Sequence, residues 1–256
     1  MPIVDCSWIL YDEEFVCARL RNYRLSAVSN VSITPASTQS TMLNDGIPSG
    51  PLPFKLNAAD REVLAQTDEE FHLQTWEDLK KIISENRLEI LKRKPSDLKR
   101  YITWTTATKA EYGTIQNYIL QKRLHWTPLL STDPSAGPTF THNNPTPFAD
   151  PADYKILRND WPYGLALGIV HLCVWTKTPI ATRPEDGDVT PQSRELIESF
   201  VKRTFTRRLE EVEGNKAEDR VLWFKNWTSL QSVRGIDHVH VLLRDAPEQL
   251  LKQWMG

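Results

Sequence analysis

Three of the six histidines in this chain of 256 residues stand at spacings that chemistry can use. His238 and His240 flank Val239 in the run Asp237-His238-Val239-His240-Val241-Leu242-Leu243. Side chains alternate across a strand with period two, so both imidazoles share one face and Val239, Val241 and Leu243 take the other. By the same alternation His171 shares a face with Ile169, Cys173 and Trp175 in the run Ile169-Val170-His171-Leu172-Cys173-Val174-Trp175. If the two strands pair, three imidazoles converge. Imidazole titrates near neutrality and is the usual general acid or base, which makes His240, His238 and His171 the candidate catalytic groups. Asn226 and Arg234 are placed to orient a substrate, and Lys225 with Arg234 to meet an anionic one. Asp160, Trp161 and Tyr163, with Trp223 and Trp227, supply polar and aromatic walls for a sugar or an aromatic metabolite.

Other readings compete. Three histidines can hold zinc or iron and leave a position open for water. Only Asp160 and Asp237 are at hand to orient such ligands, so no residue is assigned to a metal and no cofactor is implied. Two alternating histidines can also simply cover a sheet face and hydrogen-bond to loops. Asp160 to Gly164 reads equally as a structural turn, and Cys173 as a small buried apolar residue with no neighbouring base. Tyr101, Trp104 and Trp126 read as helix packing. Lys92-Arg93-Lys94, with Lys99 and Arg100, reads as a solvated helix face.

The elements that must position these groups follow from composition and periodicity. Hydrophobic residues at 40% and charged residues at 25% are ordinary for a globular protein, and the length suffices for a real core. A net charge of -2 gives no field to hold a phosphate backbone, so nucleic acid is excluded as a general partner. Three cysteines without a CxxC pair imply neither a disulfide framework nor a thiolate zinc site, and point to a reducing, cytoplasmic setting. No apolar run reaches the length of a membrane span. Residues 1–53 divide into a mixed apolar and charged stretch and a Ser, Thr, Pro and Asn-rich linker. The folded domain is expected over 54–256, with a long Pro-rich loop at 128–153.

Within it, Asn57 or Asp60 caps a short helix carrying Val63 and Leu64. Thr75-Trp76-Glu77-Asp78 forms an approximate capping box ahead of Leu79, Ile82 and Ile83 at helical spacing. Ser96 is expected to cap a helix with Leu98, Tyr101, Ile102 and Trp104, and a further stripe runs through Tyr112, Ile115, Tyr118, Ile119 and Leu124. Ser193 to Leu209 is an amphipathic helix with Leu196, Ile197, Phe200, Val201 and Phe205 inward. Strands are expected at 169–175, 221–227 and 238–243, and a last helix over 247–254. Helices first and strands later predict an α+β fold, a helical block packed on a small, mostly antiparallel C-terminal sheet, with the site where the two meet.

Several of these segments together carry a resemblance. Phe54-Lys55-Leu56-Asn57-Ala58-Ala59-Asp60, Trp76-Glu77-Asp78-Leu79-Lys80, Arg123-Leu124-His125-Trp126, Asn159-Asp160-Trp161-Pro162-Tyr163-Gly164 and the His171 strand are similar to the fungal N-acetylglucosamine-induced protein family, over about residues 54–247. That resemblance implies a fungal protein tied to an amino-sugar response and supplies no mechanism. A tailoring role in secondary metabolism stays open. A shorter likeness links Asn226, Ser232, His238 and His240 to the histidine-triad nucleotide hydrolases and transferases, which implies His240 as nucleophile. Leu242 at the third histidine position and Trp227-Thr228-Ser229 in place of glycines depart from that pattern. The expectation is thus a small-molecule enzyme with a histidine-lined pocket and a small-molecule ligand as partner. The alternatives are a non-catalytic metabolite- or partner-binding protein and a divergent nucleotidyl hydrolase or transferase. The residues leave the oligomeric state open.

Overall fold

Two capping boxes start the helical block, and both are set by the sequence next to them. In the computed structural model, which describes residues 56–130, 137–214 and 217–256, the Asn57 side chain accepts from Asp60 N and opens α1 (Ala58–Leu64). Thr75 accepts from Asp78 N and opens α2 (Trp76–Ser84), each box returning a carboxylate to the cap amide. The expectations for residues 1–53 lie outside the described residues.

The third helix, α3 (Pro95–Tyr112), departs from expectation at its start. Ser96 is not its cap. Pro95 occupies the first turn, where its missing N–H costs nothing, and Lys94 stands at the cap position without a side-chain bond to the helix amides. A distant carboxylate does the capping: Asp68 accepts from Ser96 N at 2.8 Å and from Ser96 Oγ at 2.6 Å, with Lys94 Nζ at 3.1 Å. Gly113, at φ 76°, ends α3 in a conformation costly to other residues. Thr114 then caps α4 (Ile115–Tyr118), which widens into a π-helical turn over Ile119–Leu124.

The sheet has four strands in the order β1-β2-β4-β3, every pair antiparallel. The chain therefore has an α+β fold, helices first and sheet after. The expected strands are present as β2 (Ile169–Thr176), β3 (Val221–Phe224) and β4 (His238–Arg244). An additional strand, β1 (Tyr154–Arg158), forms the edge beside β2. Between β2 and β4 the register sets Cys173 opposite His240, His171 opposite Leu242 and Trp175 opposite His238. One register thus puts every candidate histidine on one face.

That face meets the helical block. Phe224 and Leu242 join Trp76, Leu79, Ile82, Leu88 and Leu91, while Cys173 and Trp175 join Ile115, Ile119, Leu120 and Leu124. The opposite face, with Leu172, Val174, Val239, Val241 and Leu243, packs on α5 (Pro191–Val201), its π-helical continuation Lys202–Thr206, α6 (Arg207–Glu213) and α7 (Glu248–Met255). Ile197, Phe200 and Phe205 face inward as expected, but Leu196 is exposed. The described part of the Pro-rich loop is pinned: buried Asp153 accepts from Asn143 N and Asn144 N, and Phe140 and Phe148 are buried.

Candidate functional site

Strand alternation and register bring two imidazoles and a thiol together. His171 Nε2 lies 2.9 Å from His240 Nδ1, and Cys173 Sγ lies 3.5 Å from the same nitrogen. The His238 ring stands 5.2 Å from that of His240 and stacks on Trp175 at 4.2 Å. All four residues of this cluster are buried. Cys173, read from the sequence as having no neighbouring base, has one in contact, because the partner arrives from β4 across the ladder.

Asparagines hold the rings. Asn226 Nδ2 lies 3.2 Å from His240 Nε2 and donates to Tyr163 Oη at 3.0 Å. Asn159 accepts from Trp161 N through Oδ1 and sets its Nδ2 3.3 Å from both ring nitrogens of His171. His238 Nδ1 donates to Ile236 O at 2.9 Å, leaving the lone pair on Nε2. Three buried polar atoms are left over: Asn226 Oδ1, Trp161 Nε1 and Thr105 Oγ1 have no partner among the described residues. Buried acceptors are normally paired, so an orphan in a cavity wall marks a place for something to bind.

Burial disfavours charge here. It holds His171 down at about 3, helped by the nearby Arg93 cation and by His238. Burial also takes His238 down to about 4, against the pull of the Ile236 carbonyl, and His240 well below its ordinary value. The Cys173 thiol and the Tyr163 hydroxyl are both pushed up by burial. The cluster is therefore a set of neutral donors and acceptors at neutral pH.

A cavity of about 800 Å³ lies between this floor and α3 and α4. Cys173, His238, His240, Asn226, Tyr163, Trp161, Asp160 and Arg234 all line it; His171 sits behind His240 and does not. Lys225 is also absent from the lining. Its ammonium is buried and ion-paired to Asp237 Oδ1 at 3.1 Å, so it secures the β3–β4 connection and offers nothing to a ligand. Asp160 is paired with Arg123 at 2.8 Å on the rim, and burial raises its carboxyl against that cation.

Sequence reasoning missed four wall residues. Arg93, assigned to a solvated helix face, lies before α3, half-buried in the cavity wall. Its guanidinium sits 4.0 Å over the Tyr101 ring and 6.0 Å from that of Tyr163, and its Nε donates to Trp161 O. Tyr101 and Trp104 pack with Trp161, with centroids 5.2–5.9 Å apart, yet also line the cavity. Asn159 sat in a quoted motif without a role. Only Pro95, which disfavours helix at the Lys94 before it, hinted that the basic run was not a helix face.

Residues 75–244 match the model of a family described as a protein of unknown function, DUF3605. The chain belongs to this family. The matched span of the DUF3605 family includes Arg93, Tyr163, His171, Cys173, Asn226, His238 and His240. The chain is 31% identical over 187 residues to N-acetylglucosamine-induced protein 1 of Candida albicans, covering 70% of this chain and 71% of that protein. It is 30% identical over 183 residues to an uncharacterized protein of Saccharomyces cerevisiae, covering 72% and 85%. The crystal structure of HTC1 superposes with a TM-score of 0.52 at 28% identity, over 70% of this chain and 91% of that one. Among the described residues, no helix is long and apolar enough to cross a membrane.

Proposed function

We propose that this member of the DUF3605 family is a small-molecule enzyme that takes a compact, anionic, sugar-like metabolite into the cavity and acts on it by acid–base chemistry. The observation that carries the reading is the buried polar floor of His238, His240 and Asn226 under aromatic walls, with Asn226 Oδ1 unpartnered. A ligand hydroxyl, which can donate or accept, supplies the partner that this end of the amide lacks. Among the described residues no carboxylate is ion-paired to Arg93, which is held in the wall by Tyr101 and the Trp161 carbonyl, so a ligand anion supplies its counter-charge. His238, with its proton committed to Ile236 O, presents a proton-accepting nitrogen. Tyr163 and Trp161 give faces on which a sugar ring packs. The Candida albicans relative is named for induction by N-acetylglucosamine, which makes amino sugars and their phosphates and acids the first class to test.

The test is calorimetry of the purified chain against amino sugars, sugar phosphates and sugar acids, followed by NMR of each bound compound for chemical change. An anionic sugar is expected to bind and to be converted. Arg93→Met should weaken binding about tenfold or more, the value of one hydrogen bond to a charged group. Binding with no conversion of any ligand favours the second reading, a non-catalytic metabolite-binding protein of the amino-sugar response. No binding across the panel ends both.

A further inference from the structure

The cluster beneath the cavity contains more donor atoms than acid–base chemistry needs. His171 Nε2, Cys173 Sγ and His240 Nδ1 all lie within 4.8 Å of one another. They come from adjacent antiparallel strands: His171 and Cys173 are two apart on β2, and His240 is directly opposite Cys173 on β4. Tetrahedral zinc, with bonds of about 2.0–2.1 Å to nitrogen and about 2.3 Å to sulfur, sets N···N near 3.3 Å and N···S near 3.6 Å. The observed 2.9 Å and 3.5 Å lie within a few tenths of an ångström of these values, and the third separation, between the donor atoms of His171 and Cys173, is within 4.8 Å. We propose that His171, Cys173 and His240 form a three-ligand zinc site, its fourth position open to the cavity.

A second observation points the same way. Zinc on His240 Nδ1 requires the proton on Nε2, and ligating histidines hand that N–H to a carbonyl or carboxylate. With its amide as placed, Asn226 turns its nitrogen to His240 Nε2 and leaves Oδ1 without a donor. Turning the isosteric amide brings the oxygen onto both His240 Nε2–H and the Tyr163 hydroxyl, two donors for one acceptor. The amide nitrogen then takes the unpartnered position beside the cavity, and the tautomer that results on His240 is the one zinc needs.

The donor set selects the metal. A thiolate with two imidazoles is too soft for magnesium or calcium. A copper electron-transfer site adds a weak axial ligand, commonly methionine, and among the described residues the one methionine, Met255, packs with the core on the opposite side of the sheet. On binding, the Cys173 thiol releases its proton to water and the sulfur takes the zinc. Zinc and one thiolate carry a net positive charge, which, like Arg93, suits an anionic ligand. Three protein ligands with an open position is the arrangement of catalytic zinc, where bound water or a substrate oxygen is polarised. The role of the metal rests on the functional reading above; its presence does not.

The experiment is equilibration of the full chain under reducing conditions with zinc chloride, exhaustive dialysis, and elemental analysis, repeated with cobalt(II) as a spectroscopic probe. About one equivalent of zinc is expected. With cobalt, near-ultraviolet sulfur-to-metal charge transfer should appear together with intense tetrahedral visible bands. Cys173→Ser should abolish the charge transfer, and His171→Ala or His240→Ala should weaken zinc at least tenfold. The wild-type measurement stands even if a variant misfolds. Substoichiometric zinc with no charge-transfer band overturns the site, and so does full zinc retention by a folded variant that combines Cys173→Ser, His171→Ala and His240→Ala. A chain that binds a metabolite but no zinc loses only the metal; one that binds zinc but none of the metabolites loses only the functional reading.

Discussion

The two faces of the sheet are built from the same strands and differ in almost everything else. On one, Leu172, Val174, Val239, Val241 and Leu243, all apolar, are buried against Ile197, Phe200, Phe205 and Leu250. On the other, the residues between them in sequence are His171, Cys173, Trp175, His238 and His240, just as buried and largely polar. Period-two alternation lets one eight-residue strand serve both. Buried apolar residues stabilise through transfer from water and close packing. Buried imidazoles with neutral hydrogen bonds contribute little net, since they exchange water for protein partners. The apolar face therefore carries the fold, and the polar face is free to carry a site.

The sharpest way to break this comparison is to cut each face in turn. Phe200 is fully buried at the centre of the apolar layer, with Phe148 at 4.6 Å and Tyr154 at 5.0 Å. Phe200→Ala is expected to destabilise by about 4 kcal/mol, the sum of lost transfer and an unfilled cavity. Urea unfolding followed by circular dichroism measures it. A loss under about 1 kcal/mol would show that this layer is not the one holding the fold.

On the polar face the balance reverses. His238→Phe keeps the stack on Trp175 and removes the bond to the Ile236 carbonyl. The expected cost is about 1 kcal/mol of stability, the value of one hydrogen bond. Conversion of a bound metabolite should disappear, because the proton acceptor is gone. The same urea titration with an NMR assay of turnover separates the two effects. A variant that unfolds as readily as Phe200→Ala would erase the distinction between the faces.

How much of this was legible beforehand follows from the range of each interaction. The His238–His240 alternation and the His171 strand declared their shared faces, because period two is local. The Asn57 and Thr75 capping boxes were legible for the same reason. Pairing between β2 and β4 could only be posed as a condition, since nothing within either strand sets a register across 69 residues. Arg93 looked like a surface charge because its partners, Tyr101, Tyr163 and the Trp161 carbonyl, come from elsewhere in the chain. Lys225 was misplaced for the converse reason: its charge is consumed by Asp237, which lies beyond an irregular connection. The strand Tyr154–Arg158 is short, holds two basic residues and follows a Pro-rich loop, so its apolar content is too thin to stand out.

The smallest expected effect tests the layer that covers the polar face. Asp68 fastens the start of α3 from outside the helix, and its bonds from Ser96 and Lys94 hold its carboxyl down at about 2. A folded value below the unfolded one means that the charged form is favoured in the folded state. The stabilisation is therefore complete above the unfolded value of about 3.8 and is lost as pH falls through about 2. Asp68→Asn keeps an acceptor for Ser96 N but has no charge to titrate. The difference in thermal midpoint between wild type and Asp68→Asn should shrink as pH drops from about 4 to about 2. Subtracting the variant removes the parallel contribution of Asp78, which titrates in the same window. The effect at neutral pH is expected to be about 1 kcal/mol or less, the scale of a partly exposed helix cap. Its location is the informative part. Hydrogen exchange at low pH should quicken first in the amides of Leu98 to Thr105, over the cavity, while Leu172, Val174 and Val241 stay protected. Equal quickening in both sets would mean that the helical cover and the apolar core open as one unit, and that the site is not roofed by the weaker layer.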